Sequence, residues 1–177
     1  MKRKLLFLVL VLASASNCWN GQRQGFLLGI GGGAGALLSQ SLSSPNPLNV
    51  PVFKAGLGAG INQNVAVELT YSALFARNTT YQYLGIQSIL WGDSQGELPD
   101  RFTLGMGMLA QGLDFEAAGV GWDAGYHLGM TEHLSLGLDG VLGLLIRGGE
   151  MTPDRTWVHQ GPNFFGSLAL SVDWLCY

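Results

Sequence analysis

The segment from Leu134 to Ile146 alternates between large apolar residues and residues of another kind. One parity carries Leu134, Leu136, Leu138, Leu142, Leu144 and Ile146, and the other carries Ser135, Gly137, Asp139 and Gly143. A period of two is that of a β-strand and not of a helix. Because the second face offers mostly glycine and an acid, with hardly a charged residue to meet water, we expect the apolar face to be the outside and to contact lipid.

The composition supports a surface that is not conventionally polar. The 177 residues are 47% hydrophobic and only 12% charged, and 27 of them are glycine, whereas a soluble domain has about 25% charged residues. Either much of the surface contacts lipid, or the protein is part of a larger assembly. The net charge is -3 and the nine basic residues are scattered, so no basic stripe indicates nucleic-acid binding.

The N-terminus has the pattern of an export signal. A basic start, Met1 to Lys4, precedes the apolar run Leu5 to Leu12 and the small residues Ala13 to Ser16. These features predict a secretory signal peptide cleaved after Ala15. An N-terminal anchor is the alternative, but eight apolar residues are far fewer than the roughly 20 that span a bilayer as a helix. We therefore expect residues 1–15 as signal peptide, 16–23 as a short N-terminal segment and 24–177 as one domain.

The two cysteines leave three possibilities open. Ala15-Ser16-Asn17-Cys18 faintly resembles the lipidation site of bacterial lipoproteins, and Cys176 lies one residue from the C-terminus. If the two chain ends meet, an oxidising compartment permits a disulfide between Cys18 and Cys176. We favour two free cysteines, because sequence alone does not show that the pair is close enough to bond.

Seven other segments share the alternation of Leu134 to Ile146. The eight predicted strands cover residues 24–38, 52–61, 65–75, 81–91, 101–108, 120–130, 134–146 and 163–176. Alternating segments of about ten residues, separated by turn residues, are typical of a transmembrane β-barrel. The fold class predicted is therefore all-β, an eight-stranded antiparallel transmembrane β-barrel.

The links between strands predict an orientation. Those at 62–64 and 131–133 are short, whereas those at 39–51 and 147–162 are long and polar. Barrels of this class have short periplasmic turns and longer extracellular loops, so we expect both termini in the periplasm. The link from Gly92 to Asp100 is an exception, being a long connection on the short side.

The parity that faces the lumen collects the charged residues of the strands. They are Lys54, Glu68, Arg101, Asp123, His127, Asp139 and Asp173. Buried charges have to be paired or hydrated. If Met130 opposes Leu134 across the tight turn, His127 lies level with Gly137 and within reach of Asp139, so this pair is our candidate for an interior hydrogen bond.

Two interpretations of this lumen remain open. The polar residues form a structural plug, which we favour, or they form a proton-sensitive gate or small-ion path. The inward glycines either relieve crowding in a tightly curved wall, which we also favour, or leave a narrow water-filled channel. The cysteines are far apart and have no histidine near them, so they suggest neither a zinc site nor thiol catalysis. We predict no catalytic, metal or cofactor residues.

The long links carry the other candidate contacts. Arg147, Arg155 and Trp157 in the last link suit anionic or sugar groups. They could bind an unknown surface ligand, lipopolysaccharide or a host surface. The alternative is an ordinary solvated loop.

At the level of pattern the chain resembles the small outer-membrane barrels of the OmpA-like and OmpX-like superfamily. The resemblance rests on the order of several features: the signal peptide, the Gly-rich first strand, the phrase GAGINQNVAVELTYS and the closing strand FFGSLALSVDWLCY. It implies a monomer in the bacterial outer membrane, in contact with outer-membrane lipid and lipopolysaccharide. It also implies insertion by the outer-membrane assembly machinery, which reads a last strand ending in an aromatic residue. Tyr177 is aromatic, but it lies on the parity opposite Leu168, Leu170, Val172 and Trp174.

Four functions follow from these observations. The first is a non-enzymatic outer-membrane barrel with a structural role or a surface-interaction role through its loops. The second is a narrow pore for small solutes or ions. The third is a lipid-modifying enzyme, suggested by His133-Leu134-Ser135, which resembles the His-x-Ser of lipid A deacylases but lies at the predicted periplasmic end. The fourth is a soluble barrel with its apolar face inside.

Overall fold

The computed structural model is an antiparallel barrel closed by eight strands. It describes residues 25–39, 48–76, 79–92, 100–112, 117–147, 150–151, 157–158 and 162–176. The wall strands are β1 (Gly25–Ser39), β2 (Leu48–Gly60), β3 (Val65–Phe75), β4 (Thr80–Trp91), β5 (Arg101–Gln111), β6 (Ala117–Gly129), β7 (Leu134–Arg147) and β10 (Asn163–Cys176). Among these residues no helix is long and apolar enough to cross a membrane. The predicted signal peptide, residues 16–23 and Tyr177 lie outside the described residues.

Each strand pairs with its neighbour along the chain, and β1 closes the wall by pairing with β10. The tilt of the strands follows from tracing cross-strand partners around the barrel, starting at Gly31 on β1. In one direction the partner of Gly31 is Asp173 on β10. In the other direction the partner is Lys54 on β2, and the partners on each following strand lead around the barrel to Asn163 on β10, ten residues before Asp173. This offset of ten residues tilts the strands against the barrel axis, as closure of a sheet requires.

The alternating residues seen in the sequence correspond to the two faces of the barrel wall, one towards the lumen and one towards the outside. On β7, Leu136, Leu138, Leu142 and Ile146 are 42 to 67% exposed, whereas Ser135 and Val141 are buried. The same division holds on the other wall strands, where every charged side chain that the structure describes faces the lumen: Lys54, Glu68, Arg101, Asp123, Asp139 and Asp173. The outside is therefore apolar and carries no charge over the described wall.

The lumen is filled in three layers along the barrel axis. At the end with the long links, here called the loop end, an apolar layer contains Leu37, Val50, Val52, Leu74, Tyr81, Tyr83, Leu109, Ala117, Val141, Leu145, Phe165 and Ala169. At the opposite end, here called the turn end, a smaller apolar layer contains Leu27, Ala66, Ile89, Trp91 and Leu175. The charged residues lie between them and form the polar layer.

The strand boundaries depart from the prediction mainly at the loop end. The second strand begins at Leu48 and not at Val52, so it includes Pro51. Beyond Val52, β2 pairs with β1 but no longer with β3, and a proline, which lacks an N–H, is tolerated on such a free edge. The last link, predicted as a plain loop, contains a short hairpin of β8 (Glu150–Met151) and β9 (Trp157–Val158).

The expectation of two free cysteines is wrong. Cys176 is disulfide-bonded, and the described residues contain no free cysteine. Cys176 ends β10 and is paired with Leu28 on β1, so the bond is at the seam where the first and last strands meet. The chain has one other cysteine, Cys18, which lies outside the described residues.

Candidate functional site

The seven residues predicted for the interior all come together in the polar layer. Six strands supply them: β2 gives Lys54, β3 gives Glu68, β5 gives Arg101, β6 gives Asp123 and His127, β7 gives Asp139, and β10 gives Asp173. Each points inward because it shares the parity of the buried positions on its strand. Most are almost completely shielded from solvent, His127 at 2% and Glu68 at 4% exposed.

His127 lies at the centre of this layer, between two carboxylates. The tight turn at 131–133 sets the register of β6 and β7, so His127 is opposite Gly137. Its Nδ1 is 2.7 Å from Asp173 Oδ2. Its Nε2 is 3.1 Å from Asp139 Oδ1 without forming a hydrogen bond, so the predicted pair is in contact but does not make the expected hydrogen bond. The imidazole thus connects the two acids.

Two ion pairs cross the lumen and hold the same acids from the other side. Lys54 Nζ on β2 pairs with Asp139 Oδ2 on β7. Arg101 Nη2 on β5 is 3.1 Å from Asp173 Oδ2 on β10 and 3.2 Å from His127 Nδ1. Because the strands of each pair are three places apart around the wall, these contacts tie opposite sides of the barrel together.

The two remaining acids have neutral partners. Asp123 Oδ1 accepts a hydrogen bond from the hydroxyl of Tyr83. Glu68 lies directly across from Gln87 on the neighbouring strand, a neutral polar neighbour. The layer therefore has four carboxyl groups against the fixed positive charges of Lys54 and Arg101, with His127 between them.

Sequence reasoning missed the neutral members of this network. Besides Tyr83 and Gln87, Ser171 is a member: its hydroxyl is 2.7 Å from Asp139 Oδ2 and 3.2 Å from Asp173 Oδ2, and its single proton can be donated to either acid. Tyr83 and Ser171 both have the inward parity of their strands, which was the available signal. Parity alone does not show which inward hydroxyl meets which acid.

The inward glycines make room for these long side chains. A Cβ added to Gly56 would collide with the Glu68 carboxylate, and one added to Gly31 would collide with that of Asp173. Gly125 and Gly137 give the same clearance to His127. The glycines thus give clearance to these side chains, as the first of the two interpretations above expects.

The apolar layer at the loop end is closed by aromatic contact across the lumen. Tyr81 on β4 and Phe165 on β10 come from strands on opposite sides of the barrel. Their ring centroids are 5.1 Å apart, and both side chains are 1% exposed or less. At the turn end Leu27, Ile89 and Leu175 pack together in the smaller apolar layer.

His127, Asp139 and Asp173 also have the spacing of a metal site. One ligand atom from each lies within 4.8 Å of the others, and a histidine with two carboxylates suits several divalent ions. However, Lys54 and Arg101 already contact these carboxylates, and their positive charges oppose a further cation. The contacts fit an ion-pair network better than a metal centre.

The predicted contacts of the last long link lie at the edge of the described residues or outside them. Arg147 ends β7 and Trp157 begins β9, but the description does not extend to their side chains. Arg155 lies outside the described residues. His133, the histidine of the His-x-Ser sequence, has its Nδ1 3.0 Å from the carbonyl oxygen of Leu175, where it fastens the end of β10 to the turn between β6 and β7.

Comparisons with known proteins agree with this architecture. No protein-family model and no curated protein matches the chain. Among solved structures, Neisserial surface protein A is similar over 85% of this chain and 96% of its own length, with 13% identity and a TM-score of 0.51. The outer membrane protein OprG from Pseudomonas aeruginosa is similar over 89% of this chain and 98% of its own length, with 10% identity and a TM-score of 0.49. Ail, the attachment invasion locus protein of Yersinia pestis, is similar over 86% of this chain and 99% of its own length, with 11% identity and a TM-score of 0.46. The chain thus has the fold of the small outer-membrane barrels that its sequence resembles.

Proposed function

We propose that this protein is an integral protein of the bacterial outer membrane, with a closed lumen and a structural or surface-interaction role. The observation that carries the proposal is the outer face of the wall, which is apolar and has no charged side chain among the described strand residues. Leu134 to Ile146 spans roughly 40 Å at about 3.3 Å per residue. Tilted by about 40°, this is roughly 30 Å of height, which matches the hydrocarbon core of a bilayer.

The filled lumen supports a structural role over a pore. Tyr81 and Phe165 meet across it, Lys54 and Arg101 bridge it, and Leu27, Ile89 and Leu175 form an apolar layer at its other end. A barrel of eight strands has an interior just wide enough for side chains. Specific recognition is then left to the loop end, where Arg147, Arg155 and Trp157 are the candidate contacts for an anionic or sugar-bearing surface ligand, lipopolysaccharide included.

The location is tested first by fractionation of cells that express the full chain. We expect the protein in outer membranes, with the signal peptide removed, and with different gel migration before and after heating. Recovery in a soluble fraction would overturn the proposal and favour the soluble barrel. Insertion by the assembly machinery predicts, in addition, that depletion of that machinery lowers the folded, unheated form.

Two assays separate the remaining functions. Reconstituted into planar bilayers, the protein is expected to give no discrete channels, and reproducible channels would favour the pore. Lipid A extracted with and without expression is expected to be unchanged, and a modified species would favour the enzyme. In both assays the protein must first show the heat-dependent migration of the folded barrel.

A further inference from the structure

One carboxylate lies on the outer rim of the barrel and not in its lumen. Asp100 is the last residue before β5, and it has the parity of the outward residues of that strand. Because Arg101 is opposite His127, Asp100 comes level with Leu128 on β6, close to the short turn at 131–133. The carboxylate is therefore at the turn end, where the apolar outer face ends.

Two aromatic side chains adjoin this carboxylate. The hydroxyl of Tyr126 donates to Asp100 Oδ2 at 2.6 Å, reaching the diagonal position on the neighbouring strand. The Tyr126 ring in turn packs on that of Phe102, with centroids 4.7 Å apart, and the two residues are 36% and 57% exposed. Asp100, Phe102 and Tyr126 thus form one group on the outer surface, here called the rim site.

The rim site has an uncompensated negative charge. The Tyr126 hydroxyl is neutral, and no other side chain that the structure describes forms a hydrogen bond or salt bridge with Asp100. The Lys and Arg side chains in the described part of the chain, Lys54 and Arg101, face the lumen. Glu132, exposed in the turn between β6 and β7, adds a second negative charge at this end of the barrel. A cationic group from outside the chain is the partner that this charge favours.

We propose that the rim site binds the head group of a phospholipid that carries a primary ammonium, as an ethanolamine phospholipid does. The ammonium donates hydrogen bonds to Asp100 and lies against the rings of Tyr126 and Phe102, whose faces attract a cation. Leu104 and Leu128, exposed on the same two strands, continue the surface towards the lipid tails. A quaternary ammonium has no proton to donate, and a glycerol head group leaves its phosphate charge facing the carboxylate, so both are expected to bind more weakly.

The site depends on the proposed membrane location, because only a rim in contact with lipid brings Asp100 to a head group. Aromatic residues at both ends of the lipid-facing wall are general in transmembrane barrels, whereas the selectivity for one head group comes from the carboxylate. A divalent metal is a poorer occupant. One carboxylate with a single unoccupied oxygen falls far short of the roughly six to eight oxygen ligands that Ca²⁺ takes.

Native mass spectrometry of the folded mature barrel, released from detergent, tests the site. Phosphatidylethanolamine, phosphatidylcholine and phosphatidylglycerol with identical acyl chains are added separately. Wild type should bind the first about fivefold more tightly than either of the others, which is the size of effect that one exposed ion-pair or cation–π contact gives. Equal binding of the three lipids by wild type would overturn the proposal.

A matched pair of variants assigns the preference to Asp100. Asp100→Asn removes the charge but keeps an oxygen that can accept from Tyr126, so the barrel should fold, with heat-dependent migration, and lose the preference. Glu132→Gln removes one negative charge from the same end of the barrel and should keep it. A preference that survives Asp100→Asn, or that both variants lose equally, would overturn the site.

Failure of the site and failure of the membrane location give different results. A detergent-solubilised barrel that binds all three lipids without preference would refute only the rim site. Protein that stays folded and soluble without detergent, and binds no lipid, would refute the membrane location and the rim site together.

Discussion

Tyr81 and Phe165 reach across the barrel from opposite walls, and their rings lie 5.1 Å apart in the lumen. The contact belongs to the apolar layer of the loop end, where each side chain is 1% exposed or less. An aromatic pair at this distance stabilises beyond the area it buries. The same contact that contributes to stability therefore also closes the barrel at that level.

Truncation of Phe165 should separate packing inside the lumen from contact with lipid. We expect Phe165→Ala to lower the free energy of unfolding by about 3–5 kcal/mol, the usual effect of an aromatic deletion in a core. Phe164→Ala is the matched control. The Phe164 ring is 64% exposed on the outer face, so its removal deletes fewer contacts within the protein than removal of the Phe165 ring. Urea unfolding in lipid vesicles, followed by tryptophan fluorescence, measures both. Equal losses would contradict the assignment of Phe165 to the lumen.

The cross-lumen ion pair should show coupling between residues far apart in sequence. Lys54→Met removes one partner of Asp139 and leaves a buried carboxylate with His127 and Ser171. Breaking such a pair costs about 3–5 kcal/mol. We expect the double variant with Asp139→Leu to be less destabilised than the sum of the single variants. A double-mutant cycle measures this in the same unfolding assay, and strict additivity would show that the two residues do not interact.

The sequence predicts the wall of this protein better than its interior, for a physical reason. Alternation with a period of two shows which residues face the lumen and which face outward. The strands β3, β7 and β10 accordingly begin where the pattern predicts them. His127 and Gly137 could be matched because a three-residue turn fixes the register of adjacent strands. Partners across the lumen, such as Lys54 and Asp139, depend on strand number and on the ten-residue offset around the wall, which no single segment reveals.

Alanine substitutions at two glycines of β7 should differ strongly in their effect on stability. A Cβ on Gly137 would come within 2.8 Å of Ser171 Oγ and collide with the His127 ring, whereas on Gly140 its nearest neighbour is 3.6 Å away. Overpacking of this kind costs about 1–3 kcal/mol. We therefore expect Gly137→Ala to be clearly less stable than wild type and Gly140→Ala to be close to it. Similar unfolding midpoints for the two variants would show that Gly137 does not provide clearance for His127.

A charge on the outer face tests the membrane location at the level of single residues. Leu138 lies in the middle of the exposed side of β7, and Met130 lies at the turn end. In a bilayer, arginine near the midplane of a barrel costs about 2–4 kcal/mol and about 0–1 near the interface. Leu138→Arg should therefore be the more destabilised variant in lipid vesicles. In a water-soluble barrel both positions would be solvated, so equal stability of the two variants would argue against the membrane location.

The disulfide at Cys176 makes a prediction about the only other cysteine in the chain. Cleavage of the signal peptide after Ala15 would leave Cys18 in the mature protein, and the oxidising periplasm permits its pairing with Cys176. Mature protein unfolded in urea should then not react with iodoacetamide until it is reduced, after which two cysteines react. In a Cys18→Ser variant, Cys176 should react without reduction. Mass spectrometry measures all three states. Labelling of Cys176 in unreduced wild type, or an acyl mass on Cys18, would contradict the pairing, since a lipidated thioether leaves no thiol for a disulfide.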